Sequence, residues 1–147
     1  MTAPGAPATA SLVRLQRSAL ADLFRDGMVR IPDGRGRGTV LLGTGGLLAR
    51  VVAWLAYALA WRGKIVDAGA GRLKNLLTPF SIPAISAQVY EDPSWYDERP
   101  CVVLDYSSTS WVARRVRDEI REVSPGVFLG LVFLGRRHVL DFALDFN

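Results

Sequence analysis

Residues 127–146 read VFLGLVFLGRRHVLDFALDF, and how they are read decides the fold. Val127 to Leu134 is a continuous apolar run, Gly135-Arg136-Arg137 supplies a turn, and His138 to Phe146 follows. In that last segment Leu140, Phe142, Leu144 and Phe146 alternate with Asp141, Ala143 and Asp145. Neighbouring side chains on a strand face opposite sides, so a period of two predicts a strand with one buried face.

Working outward, Ser124-Pro125-Gly126 turns the chain into this pair of strands. Before it, Ser107 to Ser110 offers caps for a short helix through about Ile120. In that helix Val112, Val116 and Ile120 would share a face, with Arg114, Arg115, Arg117, Asp118, Glu119 and Arg121 crowding the rest. Residues 87–91 and 101–106 predict a hairpin, joined by an acidic loop that carries Trp95 and Tyr96. Further upstream, Ile65-Val66-Asp67 begins a strand, 68–74 reads as a flexible basic loop, and 75–80 as extended chain broken by Pro79 and Pro83. Pro32-Asp33-Gly34 is a turn, and 35–42 a strand whose Gly34, Gly36 and Gly38 permit a sharp bend or a close crossing.

Two helices complete the pattern. Residues 11–26 predict an amphipathic helix capped by Ser11, with Leu12, Leu15, Leu20, Leu23 and Phe24 on one face and Gly27 at a left-handed cap. Residues 46–61 predict a second, inserted helix. At about 1.5 Å per residue it is too short to span a bilayer, and it contains Arg50. Trp54, Tyr57 and Trp61 share its face, either as core or as the wall of a pocket. Six to eight short strands, tight turns and no strand–helix–strand rhythm predict a mainly β fold: an antiparallel barrel, closed or nearly so. A curved sheet with helices is the alternative. The expected organisation is a disordered tail over 1–10 and one barrel domain over 11–147.

Composition narrows the function classes. The chain has 147 residues, half of them apolar, with one Cys and one His. That excludes an intrachain disulfide, leaves too few soft ligands for a zinc site, and fits a reducing compartment, so a cytoplasmic location is expected. MTAPGAPATAS shows neither the basic start nor the apolar run of a secretory signal. The net charge is +4, and eleven of the 18 Lys+Arg precede residue 75 against four of the 14 acids. Sixteen of the basic residues are Arg in an Ala- and Gly-rich chain, a compositional bias that argues no nucleic-acid role. No G-x-G-x-x-G opens a helix after a strand, and no Walker lysine is present.

The segments Asp33-Gly-Arg-Gly-Arg-Gly, Trp61-Arg-Gly-Lys-Ile-Val-Asp, Val103-Leu-Asp-Tyr, Arg115-Val-Arg-Asp-Glu-Ile and Pro125-Gly-Val-Phe-Leu-Gly carry a resemblance. Over residues 29–147 the chain resembles a bacterial, chiefly actinobacterial, family of small lipocalin-like barrels. That resemblance implies a calycin-type barrel with an internal pocket for an apolar molecule. It supplies no catalytic residues.

A barrel of about eight strands has room for one small ligand among its inward side chains. Trp54, Tyr57, Trp61, Phe128, Phe133 and Phe142 are the candidate apolar wall, and Arg115 and Arg117 its candidate polar contacts. The same aromatics would equally serve as core. Asp105, if it points inward, would have its pKa raised by desolvation and could act as a general acid or base with Tyr90 or Tyr106. The competing reading pairs Asp105 with a nearby arginine. Asp118 and Glu119 read as partners of the arginines or as a polar end to the pocket. His138 is the one residue able to ligate haem iron, but its place at a turn suits a solvated strand start better, and no cofactor is expected. Cys101 reads as an inert apolar residue.

The functions expected are therefore binding of an apolar metabolite or lipid, or cofactor-free isomerase or cyclase chemistry in the same pocket. A third reading docks the greasy helix with Arg62, Lys64, Arg72 and Lys74 on a membrane surface or a partner, a second copy of the chain included.

Overall fold

The structure, a computed structural model, describes residues 9–41, 61–77, 82–108 and 113–147. Eight antiparallel strands run in chain order around a closed barrel. They are β1 (Gly34–Leu41), β2 (Trp61–Asp67), β3 (Arg72–Leu77), β4 (Ile82–Pro93), β5 (Pro100–Asp105), β6 (Val116–Ser124), β7 (Val127–Leu134) and β8 (Arg137–Asp145). Each pairs with the next, and β1 closes on β8 from Arg37↔Asp145 to Leu41↔Asp141. The mainly β, barrel reading of the sequence holds.

Alternation sorts the side chains into two cores. Val66, Leu73, Val89, Val102, Leu104, Ile120, Phe128, Val132, Phe142 and Leu144 fill the barrel interior. Cys101, Val103, Leu129, Leu131, Phe133 and Ala143 line the outer face of β5–β8 and are covered by two short helices. These are α1 (Thr9–Leu12) and α2 (Arg17–Asp26), which seat Leu12, Leu20 and Phe24 there, all fully buried. Burying side chains of this size contributes about 1.5–3 kcal/mol each. By contrast, Ile65, Lys74, Gln88 and Tyr90 on β2–β4 face outward and are exposed.

Two glycines explain close approaches. Gly63 has φ +140°, and a Cβ there would lie 2.0 Å from the Gly36 carbonyl oxygen. It allows β2 to cross against β1, beside a bulge at Trp61/Gly63. On β7, a Cβ at Gly130 would meet the Phe142 ring at 2.1 Å, so the missing side chain makes room for that ring in the lumen.

Four expectations need correction. The N-terminal helix is not continuous over 11–26: it breaks between Leu12 and Arg17, and Ser11 lies inside α1. Gly27 is extended (φ −68°), not left-handed; its smallness matters because a Cβ would press on Arg121 Cβ at 2.8 Å. The basic loop is a turn over 68–71, with Arg72 to Lys74 already in β3. Residues 116–124 form a strand, not a helix, preceded by one 3-10 turn at Ala113–Arg115. The spacing Val112, Val116, Ile120 suits a helix, but four is also a multiple of two. The inward set is Val116, Asp118 and Ile120, and the polar residue between two apolar ones disguises the alternation. The inserted helix predicted over 46–61 lies outside the described residues except for Trp61, which opens β2. The predicted tail over 1–10 is outside them up to residue 8, and Thr9 and Ala10 belong to α1.

Candidate functional site

Among the described residues, the barrel interior holds one polar cluster in an apolar lining. Lys64 projects inward from β2, Asp118 from β6, and Tyr106 from the end of β5. In the ring order, β2 and β6 are four strands apart by either route, so Lys64 reaches across the lumen to the opposite wall. Its ammonium donates to the Tyr106 hydroxyl and, at 3.2 Å, to Asp118 Oδ2. The Tyr106 hydroxyl donates to the same oxygen at 3.0 Å. Lys64 and Asp118 are 3% and 4% exposed. The rings of Tyr106 and Phe142 lie 5.2 and 5.5 Å from Lys64 Nζ, within cation–π range.

Electrostatics here is governed by desolvation. Burial pushes the Lys64 pKa down, against the pull of Asp118. Burial pushes the Asp118 pKa up, against Lys64 and Tyr106. Each shift runs toward the neutral form of its group. The second Asp118 oxygen, Oδ1, is buried with no hydrogen-bond partner among the described residues. A buried carboxylate oxygen left unpaired is costly and calls for an explanation.

The other residues singled out from sequence are distributed differently. Phe128 and Phe142 line the interior, Phe128 edge-on to Phe146 at 5.5 Å. Tyr106 is inside, whereas Asp105 and Tyr90 are on the outer surface, where the Tyr90 hydroxyl donates to Asp105 at 2.8 Å. Asp105 therefore departs from the raised pKa expected of an inward carboxylate. Partial burial pushes upward, but bonds from Ser107 and Tyr90 outweigh it and hold the pKa below the usual value. Tyr90 is pushed up to about 12, by burial first and then by Asp105. Cys101 also rises to about 12, by burial and then Glu119, which leaves its thiol unreactive.

Phe133, Arg117 and Arg115 are outside the barrel as well. Arg117 stacks 4.3 Å from the Trp95 ring and pairs with Glu119 at 3.0 Å, while Phe133 meets the same ring edge-on. Glu119 accepts from the Ser94 hydroxyl and the Trp95 amide, so it anchors the loop after β4. Arg115 is exposed on the 3-10 turn. Arg121, 1% exposed, anchors the same loop through Asp97 (2.6 Å) and the carbonyl oxygens of Arg99 and Pro100, and ties it to α2 through the Phe24 carbonyl oxygen. His138 lies on the outer wall, bonded through Nε2 to Asp141. Both edge a cleft of about 270 Å³ between α2 and β7–β8, with Arg17, Ser18 and Tyr96. Trp54 and Tyr57 lie outside the described residues.

The sequence reading missed Lys64 as a site residue and placed it on a basic docking surface; the structure puts it in the lumen. Its alternation with the outward Ile65 and inward Val66 was the available signal. Asp118 reads from sequence as a partner for arginines or as a polar end to the pocket; it faces inward and pairs with Lys64.

No family model matches the chain, and no curated protein does. Among solved structures it is similar to a protein from the actinobacterium Thermomonospora curvata, with a TM-score of 0.59 and 19% identity. The similarity covers 89% of this chain and 87% of that one. At that identity the likeness concerns the fold: a small barrel of the same kind.

Proposed function

We propose that the barrel is of lipocalin-like type and binds an apolar metabolite or lipid in its interior, with a polar group of the ligand seated on Lys64, Tyr106 and Asp118. The observation that carries this reading is a bridged, buried ion pair that the described residues otherwise surround with apolar side chains. Replacing such a pair by apolar residues of similar volume is often neutral or stabilising, by about 1–4 kcal/mol. Stability alone therefore does not account for it, and perturbed titratable groups in an enclosed site are candidate functional groups. Asp118 Oδ1, without a hydrogen-bond partner among the described residues, supports a ligand donor at that point.

The test is titration with 1-decanol and with decane, which share an apolar chain and differ in the hydroxyl, followed by intrinsic fluorescence and native mass spectrometry. We expect one molecule bound per chain, with decanol preferred. Lys64→Met/Asp118→Leu should remove the preference while leaving decane binding intact. Absence of 1:1 binding by either probe would overturn the reading.

A second reading has the same cluster act as acid and base for a cofactor-free isomerisation or cyclisation. It is favoured by the opposed pKa directions of Lys64 and Asp118, which suit proton transfer in a water-poor site.

A further inference from the structure

We propose that Lys64 is a carbonyl-capturing amine: it forms an imine with an aldehyde or ketone bound in the barrel, with Tyr106 and Asp118 as its acid–base partners. This rests on the interior-binding reading and assigns the class of ligand.

The choice of residue points that way. Asp22, Glu122, Asp92, Glu119 and Asp97 all pair with arginine, and 16 of the 18 basic side chains are arginine. The cation that the described residues place inside the lumen is one of only two lysines. A guanidinium stays charged and holds anions with a fixed fork of donors; an amine can shed its proton and become a nucleophile. An anionic ligand is also poorly served here, because Asp118 already balances the charge of Lys64 and would repel a second carboxylate. A neutral carbonyl suits the site better.

The neighbours supply what imine formation requires. The Nζ lone pair of neutral Lys64 adds to the carbonyl carbon, and the carbonyl oxygen takes a proton from the Tyr106 hydroxyl. The nitrogen gives a proton to Asp118, and Tyr106 is reprotonated from Asp118, leaving a neutral carbinolamine. The C–O bond then breaks as Tyr106 delivers a proton to the departing hydroxyl and the nitrogen lone pair forms C=N, and the iminium nitrogen gives its remaining proton back through Asp118 to Tyr106. The sum is amine plus carbonyl giving imine plus water, with no change of oxidation state. Burial favours the neutral amine that begins this sequence. Dehydration is helped by a lumen lined by Val66, Leu104, Phe128 and Phe142.

Lys74, on the outer surface of β3, is a built-in control. The full chain is incubated with decanal and sodium cyanoborohydride, which reduces an imine to a stable secondary amine, and the adduct is located by peptide mass mapping. We expect one alkyl group on Lys64, at least about tenfold above that on Lys74, and none inside the barrel in Lys64→Arg. Asp118→Asn should slow capture by about tenfold or more while decane, which has no polar group to seat, still binds. Decanol bound with no adduct on Lys64, or adducts confined to Lys74 and the amino terminus, would overturn the inference and leave interior binding standing. Failure of both decanol binding and capture would overturn both.

Discussion

Lys64 and Asp118 sit where burial alone argues against them, and Arg121 does too, but the three are treated differently by their surroundings. Arg121 is saturated: Asp97 grips its guanidinium twice, three backbone carbonyls take further protons, and the Phe24 ring covers its face at 4.3 Å. That is a structural clamp. The lumenal pair, by contrast, leaves Asp118 Oδ1 unsatisfied among the described residues. From sequence, D-E-I-R-E-V shows charges in a row, and nothing in a row of charges says which belong to a clamp and which to a site. The clamp does make a pH prediction. Its hydrogen bonds to Arg121, set against partial burial, hold the Asp97 carboxyl below its ordinary value. A depressed acid adds stability above the unfolded pKa and loses it as pH falls through the folded one, so the contribution is present at neutral pH and fades below about pH 4. Asp97→Asn should cost about 3 kcal/mol at pH 7, because it strands a buried guanidinium. The gap between wild type and variant in urea unfolding should then shrink steadily at acid pH. A gap that stays constant down to pH 2.5, well below about pH 4, would contradict the assignment.

Among the elements, the C-terminal hairpin of β7 and β8 was legible because each strand carries a simple signal: a doubly covered apolar run and a strict alternation. β6 was not. Its outward residues Arg117, Glu119 and Arg121 are charged yet buried under the loop after β4, so polarity does not mark exposure along this strand. α1 and α2 were read as one helix because their apolar spacing continues across the break at residues 13–16. The glycines of β1 were legible in kind, as a bend or close crossing, but the residue that makes the crossing is Gly63 on β2. Its positive φ and the 2.0 Å approach to Gly36 leave no room for a side chain. Gly63→Ala should therefore cost at least about 2 kcal/mol, from backbone strain plus displacement of β1. Gly69→Ala, in an exposed turn where a Cβ meets only Asp67 Oδ1 at 3.5 Å, should stay within about 0.5 kcal/mol of wild type. Equal effects in chemical denaturation would mean that the β1–β2 crossing is not as tight as the structure has it.

At the scale of the molecule, the barrel wall is a partition. Inside it is a lumen bridged by Lys64; outside β5–β8 is a second core, closed by α2 and clamped by Arg121; the described outer residues of β2–β4, such as Ile65, Lys74 and Gln88, meet solvent. Sequence alternation announces that strands have two faces, but it does not say that both faces of half the barrel are covered. That depends on where a distant helix docks. The partition makes an energetic prediction. Leu20→Ala in the outer core should cost about 2–5 kcal/mol, and Ile120→Val in the lumen about 0.5–1.5 kcal/mol. With the sheet between them, the two should add to within about 0.5 kcal/mol in the double variant. Phe24→Leu and Arg121→Met stand in direct contact in one layer and should depart from additivity by more than that. Urea unfolding of the singles and doubles decides the matter. Strong coupling of Leu20 to Ile120 would mean that the layers form one core, and that filling the lumen must also repack α2.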